Sequence, residues 1–337
     1  MKHKDTEPIL SIQGLKKSFP VRGRRRSRGS KAMIKAVNGV DLFINEGETL
    51  GLVGESGCGK TTVGRLILRL IEPTKGALFF RGRDISSLLG SELLAYRQQV
   101  QIIFQDPFSS LNPRMCIGNA ISEPLISHRL MGKKQARERA RELLSFMGLP
   151  EQYYYRYPHE FSGGQRQRIG IARALVLQPK LIVADEPVSA LDVSIQAQVI
   201  NLMEEIREKF GITYLFISHD LGVVRHISDR VAVMYLGKIV ELAETEELFE
   251  KPMHPYTEAL LSAVPVSHPR LRKERLLLKG DVPSLLNPPS GCTFHPRCPK
   301  RIDRCEREIP RIEEISPHHL VACHLNKKPN PKKGGSK

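Results

Sequence analysis

The sequence contains no tryptophan, and aromatic residues make up only 6% of its 337 residues. Surfaces that bind single-stranded nucleic acid stack bases on aromatic side chains, and no aromatics are interleaved with the charges of the most basic stretch. No apolar run approaches the roughly 18 residues that a helix needs to cross a bilayer, and the N-terminus lacks the apolar core of a signal peptide. We therefore expect a cytoplasmic protein without a membrane span, and we do not expect nucleic acid as a partner.

The charge is unbalanced in the basic direction. The chain has 52 Lys and Arg against 36 Asp and Glu, for a formal net charge of +16. Such a charge suits a polyanionic partner or an anionic membrane face. The densest basic stretch, residues 22–31, is typical of a solvated loop, with lipid head groups or a partner surface as alternatives.

A phosphate-binding pattern, G-x-x-x-x-G-K-[ST], occupies the stretch Gly54-Glu55-Ser56-Gly57-Cys58-Gly59-Lys60-Thr61-Thr62. It lies between a predicted buried strand at 48–53 and a predicted helix over 63–71. The glycines let successive N–H groups turn toward a polyphosphate, and the helix adds the positive end of its dipole. Lys60 would reach the β- and γ-phosphates, and the Thr61 hydroxyl would ligate Mg²⁺. The stretch therefore predicts a nucleotide-binding site.

Three further predicted strands end in polar residues, namely Gln105, Asp185-Glu186 and His219. Open α/β sheets place ligand-facing groups at the carboxyl ends of their strands. Asp185 suits a hydrogen bond to metal-bound water or to the Mg²⁺ ligand of the loop, and Glu186 suits a general base for an attacking water. His219 can reach a γ-phosphate, with an ordinary surface histidine as the alternative.

A second anion-binding site is predicted where Ser162-Gly163-Gly164-Gln165 leads into a helix. Ser162 is placed like an N-cap, and the two glycines expose backbone N–H groups at the positive end of the helix. An ordinary capped helix would explain the serine but not the paired glycines and the glutamine.

Together these motifs resemble the nucleotide-binding domain of ABC transporters, in the order of that family. They are the phosphate loop at 54–62, the Q-loop glutamine Gln105, the signature Ser162-Gly163-Gly164-Gln165, the strand end Asp185-Glu186, the loop Ser189-Ala190-Leu191-Asp192 and the switch histidine His219. The resemblance implies an α/β fold over 7–245, with a mixed sheet core, an antiparallel β subdomain and a helical subdomain at about 106–160.

The resemblance also implies a head-to-tail dimer in which each ATP lies between two chains. One chain would supply Phe19, Gly54, Glu55, Ser56, Gly57, Cys58, Gly59, Lys60, Thr61 and Thr62, and the other Ser162, Gly163, Gly164, Gln165 and Asp192. The ring of Phe19 would stack on adenine. Mg²⁺ would be held through Thr61, Gln105 and Asp185. The catalytic residues would be Glu186, His219, Lys60 and Gln105.

The likeness narrows to importers of oligopeptides and dipeptides, and within them to the F-type ATPase subunit. It rests on the segments 104–114, 157–165, 254–261 and 288–292. The expected partners are a second ATPase subunit, identical or related, two permeases at the cytoplasmic face of the membrane and, indirectly, a peptide-binding protein. Nickel importers are close relatives, so nickel is an alternative substrate. A soluble ABC ATPase that acts on the ribosome or on nucleic acid is the alternative suggested by the net charge.

Residues 246–326 are predicted to form a small C-terminal domain, followed by a disordered basic tail at 327–337. Four of the six cysteines lie in this domain: Cys292, Cys298, Cys305 and Cys323. Cysteines in a cytoplasmic chain favour metal or thiol chemistry over a disulfide framework. Cys58 and Cys116 are expected to be bystanders to this chemistry.

The spacing of the four cysteines, with five, six and seventeen residues between them, contains no C-x-x-C pair and so disfavours a zinc ribbon. Four thiolates can ligate an iron–sulfur cluster, and the likeness to relatives with this tail favours [4Fe–4S]. Zinc and free thiols are the alternatives. The histidines of the tail are expected to be mostly solvated: His295, His318, His319 and His324.

Overall fold

A computed structural model describes residues 7–25, 31–106, 110–263, 276, 278 and 280–326. Three of the predictions concern residues outside these ranges: the tip of the basic stretch at 26–30, the segment 107–109 next to the Q-loop, and the basic tail at 327–337. In the described ranges, no helix is both long enough and apolar enough to cross a membrane.

Strands and helices alternate through most of the chain. The strands are β1 (Leu10–Arg25), β2 (Lys31–Ile44), β3 (Thr49–Val53), β4 (Lys75–Phe80), β5 (Arg83–Asp84), β6 (Val100–Ile103), β7 (Leu181–Asp185), β8 (Thr213–Ser218), β9 (Arg230–Tyr235), β10 (Lys238–Glu244), β11 (Glu313–Ser316) and β12 (His319–Val321). The helices are α1 (Lys60–Ile67), α2 (Gly90–Gln99), α3 (Ile117–Ser127), α4 (Lys133–Phe146), α5 (Gly163–Leu175), α6 (Val193–Phe210), α7 (Leu221–Ile227), α8 (Thr245–Glu250), α9 (Pro255–Ser262) and α10 (Asp303–Arg307).

The first sheet is antiparallel, with the order β2-β1-β4-β5. Its two long strands correct the expectation of a solvated loop over 22–31, because β1 continues to Arg25 and pairs there with Lys31 at the start of β2. The charged composition of residues 22–31 predicts a loop, whereas the pairing of β1 with β2 extends both strands into this basic stretch.

The second sheet provides the frame of the molecule, with the order β11-β12-β10-β9-β3-β8-β7-β6 within the described residues. The strands from β6 to β9 in this order run parallel, and those from β10 to β11 are antiparallel. Strands β3, β8 and β9 are buried along their whole length, as expected for a parallel sheet covered on both faces. The sheet is thus mixed, as predicted.

Helix α1 lies between the two sheets. Its buried residues Val63, Leu66 and Ile67 share one hydrophobic core with residues of the first sheet such as Leu42 and of the second such as Leu52. This packing fixes the start of α1 relative to β3, and the loop between them is the predicted phosphate loop. The helix ends at Ile67 rather than at residue 71.

A mainly helical region, with α3, α4 and the start of α5, precedes β7. Helix α4 buries Ala136, Ala140, Leu143 and Leu144 at helical spacing against a core that continues to the second sheet. It ends at Phe146, because Gly148 shortly after it adopts the left-handed conformation (φ 72°) that terminates helices.

The C-terminal segment is joined to the second sheet. Strand β12 pairs with β10, so the hairpin of β11 and β12 extends that sheet at its edge. Cys292, Phe294 and Cys305 belong to the same hydrophobic core as the helical region. The segment therefore shares both backbone pairing and core with the rest of the protein.

Candidate nucleotide site

The predicted phosphate loop follows β3 directly and ends at the first turn of α1. All three glycines of the loop have positive φ angles, and two of them, Gly54 (φ 151°) and Gly59 (φ 114°), also lie close to other backbone. A Cβ atom on either would lie 2.2 Å from a backbone oxygen, that of Met234 for Gly54 and that of Ala36 for Gly59. Only glycine fits both the conformation and the close approach. The loop is therefore held tightly between β2 and β9.

Lys60 begins α1 with only 4% of its surface exposed. Its Nζ donates to the carbonyl of Gly54 at 2.7 Å and to that of Glu55 at 3.2 Å. The ammonium thus lies inside the curve of the loop, next to the N-terminus of α1. Both the ammonium and the helix end attract anions there.

Thr61 contacts the end of β7. Its hydroxyl donates to Oδ1 of Asp185 at 3.0 Å. Burial raises the pKa of Asp185 and the neighbouring Glu186 adds to the rise, while the Thr61 hydrogen bond and the charges of Arg65 and Lys60 oppose it. Hydroxyl and carboxylate oxygens are the ligands that Mg²⁺ prefers, so Thr61 and Asp185 fit the predicted Mg²⁺ site.

Three of the four predicted catalytic residues, Glu186, Gln105 and His219, lie together, whereas Lys60 lies in the phosphate loop. The backbone of Glu186 is left-handed (φ 49°), and its N–H donates to the carbonyl of Ile217 at the end of β8, at 2.9 Å. Its Oε2 accepts a hydrogen bond from Nε2 of Gln105 at 2.8 Å and lies 3.2 Å from Nδ1 of His219. The strand ends of β6, β7 and β8 thus bring Gln105, Glu186 and His219 together around one carboxylate oxygen.

The signature residues begin α5 on an exposed surface. The Gln165 N–H donates to the Ser162 hydroxyl at 3.4 Å, and the Ser162 N–H donates to Oε1 of Gln165 at 3.1 Å, which forms a reciprocal N-terminal cap. Ser162 and Gly163 are exposed, as is Asp192 at the start of α6. Within the described part of the chain, no hydrogen bond joins these residues to the phosphate loop. This exposed end of α5 is accessible to a second chain.

Two other predicted residues occupy the edges of the site. Phe19 lies on β1 opposite Ile34, half-buried, with Nζ of Lys17 5.2 Å from the centre of its ring. Cys58 is buried within the loop, and burial raises the pKa of its thiol. Of the remaining loop residues, Ser56 and Gly57 are exposed and Thr62 is half-buried.

The phosphate loop contacts the C-terminal segment, which the sequence did not predict. The Arg297 guanidinium donates two hydrogen bonds to the Glu55 carboxylate, and the Glu55 N–H donates to the Tyr256 hydroxyl at 2.8 Å. The only signal in the sequence was the position of Arg297 just before one of the four cysteines. No local pattern pairs residues so distant along the chain.

The four cysteines of the tail lie in one neighbourhood. The Cys292 N–H donates to the Cys305 carbonyl at 2.8 Å. Burial, together with the nearby thiols of Cys292, Cys298 and Cys305, raises the pKa of Cys323 to about 11. Among the residues that the structure describes, however, no group of three or more His, Cys, Asp or Glu side chains could hold a metal ion. The structure therefore shows no metal site at the cysteines that it describes, and the [4Fe–4S] cluster and zinc stay predictions.

His319 differs from the expectation of a solvated histidine. It is fully buried, with Nε2 2.7 Å from Oε1 of Glu241 and Nδ1 3.0 Å from Oε1 of Glu247. Burial disfavours its protonated form, but the hydrogen bonds to the two carboxylates outweigh burial and raise its pKa. The residue therefore joins β12 to β10 and α8.

Comparison with known proteins agrees with this geometry. Residues 37–189 match the family described as ABC transporter, and residues 240–305 match the family described as oligopeptide/dipeptide transporter, C-terminal region. The oligopeptide transport ATP-binding protein AppF of Bacillus subtilis is 56% identical over 322 residues, which cover 95% of this chain and 98% of that protein. The chain belongs to the ATP-binding proteins of oligopeptide and dipeptide ABC transporters. A putative peptide import ATP-binding protein of Brucella ovis is 53% identical, with 94% and 97% of the two chains covered.

Solved structures of ABC transporter cassettes confirm the predicted fold class. The dimeric, post-hydrolysis structure of the ATP-binding cassette MJ0796 bound to ADP and phosphate has a TM-score of 0.62 and 29% identity, and covers 70% of this chain and 98% of that one. The structure of CbiO1 from Clostridium perfringens, part of a transporter complex, has a TM-score of 0.62 and 26% identity, with 73% and 92% covered. The prediction of an ABC-type ATPase is likewise confirmed by the family match.

Proposed function

We propose that this ABC ATPase drives the import of dipeptides or oligopeptides through membrane permeases. The observation that carries the proposal is the 56% identity to an oligopeptide transport ATP-binding protein over nearly the whole of both chains. The match of the C-terminal region to oligopeptide and dipeptide transporters supports the same substrate class. The position of the chain within the family, as an F-type subunit, stays a prediction.

The polar groups around the phosphate loop support binding of ATP with Mg²⁺. Lys60 and the N–H groups of the loop would hold the β- and γ-phosphates, and Phe19 would stack on the adenine. Thr61, Asp185 and Gln105 would hold Mg²⁺, which when bound neutralises phosphate charge. Donation of the Thr61 hydroxyl to Asp185 at 3.0 Å supports the pairing of these two residues at one cation.

Glu186 is proposed as the general base for the attacking water. Its carboxylate is largely buried, with 16% of the side chain exposed, and lies between Gln105 and His219. The Gln105 amide orients the carboxylate, and His219 would stabilise charge on the γ-phosphate. Because Gln105 leads from β6 into the helical region, its position would report the nucleotide state to that region.

The exposed signature supports a dimer in which the ATP site is completed by a second chain. Ser162 and Gly163 are exposed at the N-terminal end of α5, and Asp192 lies at the exposed start of α6. Both helix ends attract the phosphates of a nucleotide held by a partner. The partner is proposed to be a second copy or a related ATPase subunit.

A cavity beside the Q-loop is proposed to receive a permease loop at the cytoplasmic face of the membrane. It has a volume of about 260 Å³ and lies between the end of β6 and helices α3 and α5. Ile103, Phe104, Glu123 and Arg173 are among its lining residues. Phe104 is 42% exposed, and such an exposed aromatic next to a cavity is typical of a protein-binding surface. The cavity is lined in part by residues of the helical subdomain predicted at about 106–160.

For the tail, we propose that the four cysteines hold a [4Fe–4S] cluster, with zinc as the alternative. Cys292, Cys298, Cys305 and Cys323 would supply four thiolates to either group, and the influence of the first three thiols on the pKa of Cys323 supports their proximity. Anaerobic purification with quantification of iron, sulfide and zinc tests this proposal. About four irons with matching sulfide per chain support the cluster, and one zinc without iron overturns it.

Reconstitution tests the transport function. The chain is copurified with its permeases and its ATPase partner, placed in vesicles, and assayed for ATP-dependent peptide uptake. We expect di- or oligopeptides, delivered by the peptide-binding protein, to stimulate hydrolysis and to accumulate on the other side of the membrane. Stimulation by nickel and not by peptides would contradict the proposed substrate, and copurification with ribosomes or nucleic acid instead of permeases would contradict the transporter function.

A further inference from the structure

The C-terminal segment holds the phosphate loop through a two-point ion pair. Nη1 and Nη2 of Arg297 donate to the two carboxylate oxygens of Glu55 at 2.8 and 3.0 Å. The Arg297 side chain is only 8% exposed and that of Glu55 25% exposed. A planar guanidinium that contacts both oxygens of a carboxylate fixes its orientation as well as its charge.

Glu55 is also held through its backbone. Its N–H donates to the hydroxyl of Tyr256 on α9 at 2.8 Å, and its carbonyl accepts from Nζ of Lys60 at 3.2 Å. One loop residue thus contacts the C-terminal segment on one side and the phosphate-binding lysine on the other. The position of Lys60 depends on the same peptide units that the segment holds.

Arg297 packs next to a buried aromatic cluster that consists of Tyr235, Tyr256 and Phe294. The rings of Tyr235, Tyr256 and Phe294 pack pairwise, with centroids 4.6 to 5.4 Å apart. All three are essentially buried, and Tyr235 ends β9, a neighbour of β3 in the second sheet. The backbone N–H of Arg297 donates to the backbone carbonyl of Phe294 at 3.0 Å. The guanidinium therefore projects from a rigid support rather than from a free loop.

We propose that Arg297 is a positioning residue of the nucleotide site, through which the C-terminal segment sets the affinity for ATP. It acts in two ways. It fixes Glu55, and with it the backbone of the phosphate loop, before the nucleotide binds, which reduces the cost of ordering the loop. It also neutralises the Glu55 carboxylate, which would otherwise place a negative charge in the loop that binds a polyphosphate. This inference concerns the ATP site alone and does not depend on the transported substrate.

The purified full-length chain tests the proposal through its ATP concentration dependence. We expect Arg297→Ala to raise the KM for ATP by about tenfold, because the loss of one charge–charge contact changes binding by a factor of this order. The value of kcat should change less than about twofold. Arg297→Lys retains one charged contact and should give an intermediate KM. The matched control is Lys300→Ala, which removes an exposed ion pair with Glu258 in the same segment and should leave KM unchanged.

The double variant Glu55→Gln/Arg297→Ala separates the loss of charge neutralisation from the loss of positioning. Because this variant lacks the Glu55 carboxylate, only the positioning defect should remain, and its KM should lie between that of Arg297→Ala and that of the wild type. The defect of Arg297→Ala should also shrink at high salt, since salt screens the uncompensated charge. A KM for Arg297→Ala within twofold of wild type, or an equal defect in Lys300→Ala, would overturn the proposal. A double variant no better than Arg297→Ala would overturn the charge effect, and a double variant equal to the wild type would overturn the positioning effect. If Arg297→Ala does not fold, Arg297→Lys and Tyr256→Phe carry the test, and an unchanged KM in both contradicts it.

Discussion

Nδ1 of His219 lies 3.2 Å from the same Glu186 oxygen that accepts the hydrogen bond from Gln105. The histidine side chain is 58% exposed and extends from the end of β8, whereas the carboxylate is largely buried at the end of β7. Because the side chain of His219 is exposed, we propose that it leaves Glu186 and contacts the γ-phosphate when ATP binds, without disturbing the core. The carboxylate would then be free to accept a proton from water.

This arrangement predicts that His219→Ala lowers ATP turnover by on the order of a hundredfold while ATP still binds. Steady-state hydrolysis and equilibrium nucleotide binding measure the two effects separately. The control is His226→Ala on α7, where an exposed histidine lies 3.6 Å from Glu204 and away from the site. Equal turnover in the two variants would show that His219 has no special part in hydrolysis.

Asp185→Asn tests the proposed Mg²⁺ site. The variant keeps an oxygen that can accept the Thr61 hydroxyl hydrogen bond but removes the negative charge near the cation. We expect the Mg²⁺ concentration for half-maximal hydrolysis to rise by about tenfold or more, since the lost contact is charge-assisted. Asp84→Asn, at the exposed end of strand β5 in the first sheet, is the control. An unchanged Mg²⁺ dependence would remove Asp185 from the metal site.

The buried pair of Arg230 and Glu48 predicts a large effect on stability. Nη1 of Arg230 donates to Oε1 of Glu48 at 2.9 Å, and both side chains are less than 8% exposed. Arg230→Met leaves the carboxylate buried without its partner, so we expect the free energy of unfolding to fall by about 3 to 5 kcal/mol. Denaturant unfolding measures this change. Arg304→Met removes an exposed pair with Glu308 and should shift the midpoint little; similar shifts in both variants would contradict the prediction.

His254 predicts a specific loss of stability in acid. Burial lowers its pKa to about 4, against about 6.5 in an unfolded chain, although Glu241 opposes the shift. Between these values the unfolded chain binds a proton that the folded protein does not, so the free energy of unfolding falls as the pH falls. The linked loss reaches on the order of 3 kcal/mol by pH 4.

The variant His254→Asn isolates this contribution. Nδ1 of His254 accepts the Tyr256 N–H at 3.0 Å at the start of α9, and an asparagine oxygen can serve as the same cap without titrating. Unfolding at pH 7, 6 and 5 should show a shallower decline for the variant than for the wild type. Parallel declines would mean that other groups carry the acid sensitivity.

Features encoded by neighbouring residues could be predicted from the sequence. The bounds of helix α6, Val193–Phe210, follow from local sequence, because Asp192 precedes the helix and Gly211 adopts the left-handed conformation that ends it. The polar ends of β7 and β8 could be located for the same reason, since each follows a short apolar run. Helix α1 was predicted too long, because the left-handed Arg69 (φ 53°) shortly after its end is not a residue type that signals a stop.

Features that depend on distant residues were not predictable. Arg297 and Glu55 are separated by 242 positions, and no property of either residue alone indicates its partner. The burial of His319 follows from the pairing of β12 with β10, which places it beside two carboxylates. The extension of β1 and β2 into the basic stretch likewise depends on cross-strand pairing rather than on composition.

The most direct test of the account is turnover and dimerisation of Glu186→Gln with ATP and Mg²⁺. The variant keeps the size of the side chain and an oxygen for the Gln105 hydrogen bond, but it cannot accept a proton from water. We predict that hydrolysis falls by on the order of a hundredfold or more, while ATP drives the chain into a stable dimer detectable by light scattering. Near-normal hydrolysis by this variant, with or without the dimer, would contradict the assignment of Glu186 as the general base.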